Sequence, residues 1–203
     1  MLLLRVELPN VPGSLGRLAS AIGAAGGDIE AIEIVAKRPD GTDVDDVLLD
    51  MVEGVMPDSV VSACNAVEGV KVLWISRYLA GGNLFPDLEV VESLTAEPAV
   101  ALDRLIESLP VAFRCEWAAR VAITENGSSE IECATEGAPT SIELQPGSGP
   151  ARQAIGDDLV AVAPIGHARV VAIGRRGGPE YLDSELARLD HLVGLAVSIA
   201  RTA

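Results

Sequence analysis

The stretch Leu8-Pro9-Asn10-Val11-Pro12-Gly13-Ser14-Leu15-Gly16-Arg17 constrains the fold more than any other part of the chain. Proline has no amide donor for a sheet or helix, and glycine alone enters left-handed backbone freely. Two prolines and a glycine in this order therefore end a strand and force a loop before a helix. The strand is Leu2 to Leu8, apolar with Arg5 and Glu7 alternating, the pattern of a half-buried strand. Asn10 carries a side chain able to accept hydrogen bonds from the free N–H groups of a helix start. Behind it, Leu15, Leu18 and Ile22 recur at helical spacing and are expected to form one buried face, with Gly26-Gly27 as the stop.

The pattern continues through a domain's length. Asp28 to Ala36 reads as a strand whose apolar positions change phase between Ala31 and Ile32, the mark of a bulge. Pro39-Asp40-Gly41 is a turn, and Val47 to Val52 reads as a third strand. Pro57 opens a second helix with Val60, Val61, Cys64 and Val67 apolar; Gly69 closes it, and Val70 to Arg77 reads as a fourth strand. The order β-α-β-β-α-β predicts a ferredoxin-like α+β domain over residues 1–80, with both helices on one face of an antiparallel sheet.

On these residues the first half resembles an ACT domain, a small regulatory module of biosynthetic enzymes. That family has Asp or Asn, any residue, Pro, Gly and a following Leu in its first loop, matched here by Asn10, Val11, Pro12, Gly13 and Leu15. It often has Gly, any residue, Asn, Ile after the first helix, and here Gly27-Asp28-Ile29 is the partial match. Leu8 stands where serine-binding members have His, and Asp28 where they tend to have Asn. The resemblance implies a small amino acid as ligand, held by Asn10, Val11, Pro12, Gly13, Leu15, Asp28 and Ile29 at the interface of a homodimer. A free helix N-terminus suits the ligand's carboxylate, and Asp28 its ammonium. The same residues also read as local structure only: Asn10 as a helix cap, Gly13 as a turn and Asp28 as a solvated charge.

The second half, 84–203, is expected to be a smaller α+β domain after a Gly81-Gly82-Asn83 linker. Residues 84–94 and 97–109 read as helices. Cys115 to Thr124 alternates as a strand, Glu125-Asn126-Gly127-Ser128 as a hairpin turn, and Glu130 to Ala134 as the returning strand. Residues 137–152 read as a loop, followed by a hairpin of Leu159 to Ile165 and Ala168 to Arg175 around Gly166-His167. The last helix, from Glu180 or Asp183, carries Leu182, Leu186, Leu189, Val193 and Ala196 on one face. Its approach, Arg175-Arg176-Gly177-Gly178-Pro179, Tyr181, Asp183 and Glu185-Leu186, resembles the end of a GAF-type sensory domain. No residue of that half is assigned to a ligand.

Charge and chemistry narrow the function classes. The net charge of −15 divides as −6 over residues 1–80 and −9 over 81–203, so neither half offers the basic footprint of a nucleic-acid binder. No apolar run approaches a membrane span, and the opening Met1 to Leu4 is too short for a signal peptide, so a cytoplasmic protein is expected. Cys64, Cys115 and Cys133 match no zinc or redox spacing and are expected to be buried and reduced. Asp43, Asp45 and Asp46 are read as a solvated acidic loop, with no metal. His167 and His191 have no nucleophile at a recognisable spacing, and Gly23 to Gly27 ends a helix instead of opening one, unlike a phosphate loop. The expectation is a non-enzymatic regulatory protein without cofactor that binds an amino acid; the alternative is a scaffold whose two domains only dimerise and bind another protein.

Overall fold

The computed structural model describes residues 2–77, 86–124, 129–145 and 147–203. The Gly81-Gly82-Asn83 linker and the Glu125 to Ser128 turn lie outside the described residues. The chain divides into two compact units, Met1–Gly82 and Asn83–Ala203, so the second is the larger and the expectation of a smaller one is corrected. Each unit is a mixed α/β body built on one antiparallel sheet, and the chain closes with a long helix.

In the first unit the order is β1 (Leu2–Pro9), α1 (Ser14–Ala24), β2 (Gly27–Lys37), β3 (Thr42–Met51), α2 (Pro57–Asn65) and β4 (Lys71–Arg77). The strands lie side by side as β2-β3-β1-β4. Pairing of β1 with β3 runs unbroken from Leu2 opposite Leu49 to Pro9 opposite Thr42. Because strand side chains alternate, Leu2, Leu4, Val6 and Leu8 share one face with Val47 and Leu49. Leu18 and Ile22 of α1 and Val60 and Cys64 of α2 pack on that same face and close the core.

Three expectations about this unit are corrected. Strand β3 begins at Thr42, so the acidic residues 43–46 are part of it and buried. Hydrogen bonding to β1 and β2 on either side outweighs the low strand preference of Asp. Leu15 is exposed, and α1 buries Ser14, Leu18 and Ile22 instead, a stripe of four-residue steps. The register of β2 shifts between Ile29 and Ala31 and again between Ile34 and Ala36, two irregularities where one was expected.

The second unit contains α3 (Pro86–Ala96), a 3-10 turn (Pro98–Val100), α4 (Ala101–Phe113), β5 (Trp117–Ile123), β6 (Ser129–Ala134), β7 (Ala151–Ile155), β8 (Asp158–Ile165), β9 (Arg169–Arg176) and α5 (Asp183–Ala200). Its sheet order is β6-β5-β9-β8-β7. The second helix starts and ends four residues later than the sequence pattern placed it; a left-handed Arg114 ends it. Strand β7 takes up the end of the expected 137–152 loop.

Both faces of this sheet are covered. Small residues, Ala118, Ala161 and Ala163, with Val171 and Ile173, let α3, α4 and α5 approach one face. On the other, Trp117, Val121, Val160, Val162 and Val170 pack with Ile142 and Leu144 from the loop. Trp117 is fully buried, and its indole N–H donates to Asp158 (2.8 Å), which also accepts from Arg176 (3.0 Å). The start of α5 is tied down by Glu185. One carboxylate oxygen accepts the Leu182 amide (2.8 Å); the other accepts from buried Arg175 (3.0 Å). Arg175 also donates to the carbonyls of Phe113 at the end of α4 and of Pro179, and lies over the Tyr181 ring.

Gly174 opposes Trp117 across the β5–β9 pair, and a Cβ there would stand 1.9 Å from the indole. Gly174→Ala is expected to destabilise the second unit by about 3 kcal/mol, the upper end for overpacking a filled core, because a rigid ring in a closed layer cannot yield. Thermal unfolding followed by tryptophan fluorescence checks this; an unchanged midpoint would refute it.

Candidate functional site

The loop between β1 and α1 is held by backbone alone. The Asn10 amide donates to the Gly41 carbonyl (2.9 Å), Val11 to Pro9 (2.9 Å), Ser14 to Val11 (3.1 Å) and Arg17 to Gly13 (3.0 Å). Gly13 is the residue before the helix, with φ of 88° in the left-handed region, where a side chain would be strained. No side chain caps α1, so Asn10 does not serve as its cap. The first turn holds no acidic residue, and Ser14 is buried with its hydroxyl accepting from Arg17 (3.0 Å). The result is a helix start whose positive dipole end is not offset by any side-chain carboxylate of its own first turn. Asn10, Pro12 and Gly13 are exposed, as are the apolar side chains of Val11 (52%) and Leu15 (40%).

Asp28 and Ile29 lie elsewhere. Gly27, Asp28 and Ile29 oppose Met51, Asp50 and Leu49 at the far end of β3, whereas Pro9 opposes Thr42 at its beginning. The 11 residues of α1 span about 16 Å between these ends. Within one chain the structure brings Asn10, Val11, Pro12, Gly13 and Leu15 together and keeps Asp28 and Ile29 apart from them. Asp28 is exposed, while Ile29 packs against the core.

The residues that the sequence reading missed are the acids of β3. Asp46 pairs with Arg5 opposite it on β1, through Nε to Oδ1 (2.7 Å) and Nη2 to Oδ2 (2.8 Å), both side chains buried. Asp43 and Asp45 point to the other face, in phase with Val47 and Leu49. They are 7% and 3% exposed, and Oδ1 of each is buried without a hydrogen-bond partner. Burial, then the negative charges of Asp43 and Asp46, push the Asp45 carboxyl up to about 6. The signal was present: Asp43 and Asp45 keep the two-residue period of the strand that follows them.

In the second unit a cavity of about 170 Å³ lies between β7, β8 and the segment before α5, with Arg152, Leu159, Glu180 and Tyr181 among its walls. Arg152 is engaged by the Tyr181 carbonyl and the Asp183 carboxylate. Cys115 is buried, donates weakly to the Trp117 carbonyl (3.4 Å), and burial pushes its thiol up to about 12, which makes it a poor nucleophile. The Tyr181 hydroxyl is buried beside the Cys115 sulfur and finds no regular hydrogen-bond partner. Among the described residues, no group of three or more His, Cys, Asp and Glu side chains is placed to hold a metal ion. No helix among them is long and apolar enough to cross a membrane.

No protein-family model matches this chain. A curated relative, NAD-dependent malic enzyme 1 of Bacillus subtilis (strain 168), is 28% identical over 176 residues, which cover 80% of this chain. The chain spans about two fifths (39%) of that relative's length. Among solved structures, the GAF domain of an Acinetobacter phosphoenolpyruvate-protein phosphotransferase aligns with 62% of this chain and 96% of its own, at 11% identity and a TM-score of 0.45. The GAF domain of the corresponding Coxiella burnetii protein aligns with 59% of this chain and 96% of its own, at 15% identity and a TM-score of 0.43.

Asp45 sets a stability test. Below about pH 4 the folded and unfolded chains both hold its proton. As pH rises from about 4 to 6 the unfolded chain releases it first, so folding stability falls, and above about 6 the full penalty is present. The penalty is on the order of 3 kcal/mol. Asp45→Asn is expected to raise the unfolding midpoint of the first unit at pH 7.5 and leave it nearly unchanged at pH 4; equal effects at both pH values would refute the assignment.

Proposed function

We propose that this chain is a non-enzymatic regulatory or sensory protein whose first unit, ferredoxin-like and of ACT type, binds a small amino acid as a homodimer, and whose second unit is GAF-like. The observation that carries this reading is the uncapped start of α1 directly behind the exposed Asn10 to Gly13 loop, on a sheet ordered β2-β3-β1-β4. Unpaired N–H groups and the helix dipole favour the ligand's carboxylate there. Asp28 requires a second copy. A two-fold axis perpendicular to the strands reverses the direction of the partner's sheet, so that the Asp28 end of one copy comes to the loop end of the other. The two groups that bracket the ligand then belong to different chains, and ligand binding and dimer geometry are linked.

The malic enzyme relative favours a second reading, nicotinamide-linked oxidation of malate. The likeness covers 39% of that enzyme, so its activity comes to this chain only as this second reading. The glycine cluster from Gly23 to Gly27 falls at the end of α1, away from the phosphate-binding position of a helix start.

Calorimetric titration with the twenty amino acids tests the reading. Saturable binding is expected from at least one, weakened tenfold or more in Asn10→Ala and in Asp28→Ala, with no NADH formed from malate and NAD. Absence of binding up to millimolar amino acid, with concentration-dependent dimerisation retained, would overturn it in favour of a scaffold; NADH formation would overturn it in favour of the enzyme.

A further inference from the structure

Two carboxylates, Asp43 and Asp45, are buried on the helix-bearing face of the first sheet without a cation. The cost of burying an ionised carboxylate is several kcal/mol unless a counter-charge meets it. Among the described residues, the charged groups around the pair do not supply one. Arg5 on β1 is committed to Asp46 on the opposite face; Arg17 on α1 donates to Ser14; Lys37 on β2 opposes Asp43 in register and makes no ion pair with it. Each carboxylate keeps one buried oxygen with no partner.

The pair lies at the same end of the sheet as the loop. Leu8 opposes Asp43, and the Asn10 amide is bonded to Gly41, two residues before it. Exposed aliphatic groups stand at this end too: Val11 and Leu15 beside the helix start, and Ile34, 51% exposed, directly opposite Asp45. An uncapped helix start, exposed aliphatic side chains and a pair of uncompensated carboxylates at one end of the sheet are the partners that a carboxylate, a methylene stem and a cationic head require.

We propose that the ligand of the first unit is an amino acid with a cationic side chain, whose ammonium or guanidinium group is received by Asp43 and Asp45. This rests on the amino-acid reading above and narrows it. Asp28 of a second copy remains for the α-ammonium, so the two cationic groups of the ligand have separate partners. Entry of the cation displaces the proton that Asp45 holds at mildly acid pH, and binding of such a ligand therefore tightens as pH rises.

Lysine and norleucine, which differ by the terminal ammonium, are the probes, titrated calorimetrically into the full chain at pH 5 and pH 7.5. Lysine is expected to bind at least tenfold tighter than norleucine at pH 7.5. Its affinity is expected to fall about tenfold at pH 5, the effect of displacing one proton from a group that titrates near 6. Norleucine is expected to change little between the two pH values. Asp45→Asn, which keeps the side chain's shape, is expected to bring lysine down to the norleucine level and remove the pH dependence; the separately made Asp43→Asn guards against a folding defect in either variant. Equal affinity for the two probes, or lysine binding unaltered in both variants, would overturn the proposal and leave the amino-acid reading standing. No binding by any amino acid would overturn both.

Discussion

The unbroken pairing of β1 with β3 decides what every other part of the first unit can do. A strand's side chains alternate, so this register commits the even-numbered residues of β1 and the odd-numbered residues of β3 to the face under the helices. It gives Val47 and Leu49 to the core and, by the same rule, carries Asp43 and Asp45 beneath the helix-bearing side while Asp46 meets Arg5 on the other. A slip of one residue would separate Arg5 from Asp46 and turn four core leucines and valines outward. The buried Arg5–Asp46 pair penalises that slip, since either charge left alone in the interior is costly.

Much of this was legible in the sequence. The alternation of Leu2 to Leu8, the prolines of the first loop and the glycine after α1 carry enough local information to order the elements of the first unit. What was not legible depends on neighbours. Asp43 to Asp46 read as a loop because aspartate disfavours strands, and only the two flanking strands, remote in sequence, supply the bonds that override this. Leu15 read as core because its spacing to Leu18 and Ile22 is helical. The helix is rotated so that Ser14 takes the inner position, and nothing local sets that rotation. Of the loop residues, five meet in space because they are adjacent in sequence. The separation of Asp28 from them follows from the length of α1, which the sequence does give, taken with the direction of β2, which requires the sheet.

The second unit solves a different packing problem. Its sheet has a cover on both faces: Ala118, Ala161 and Ala163 with Val171 and Ile173 lie under the helices, while Trp117, Ala119, Ala172 and four valines face the loop that carries Ile142 and Leu144. The loop was read as irregular, correctly for most of its length, but its two buried apolar residues make it part of the core. Gly174 records how closely that layer is filled, because the indole occupies the volume where a side chain would stand.

The Glu185 carboxylate has one oxygen on the backbone of the α5 start and the other on Arg175, whose guanidinium also donates to the end of α4 and to the chain after β9. The end of α4, 62 residues away from Arg175, thus shares a single electrostatic rivet with the β9–α5 connection and the start of α5. Fraying of the first turn of α5 therefore has to break bonds to the last strand and to the neighbouring helix as well as its own, so the N-terminal end of α5 is coupled to both.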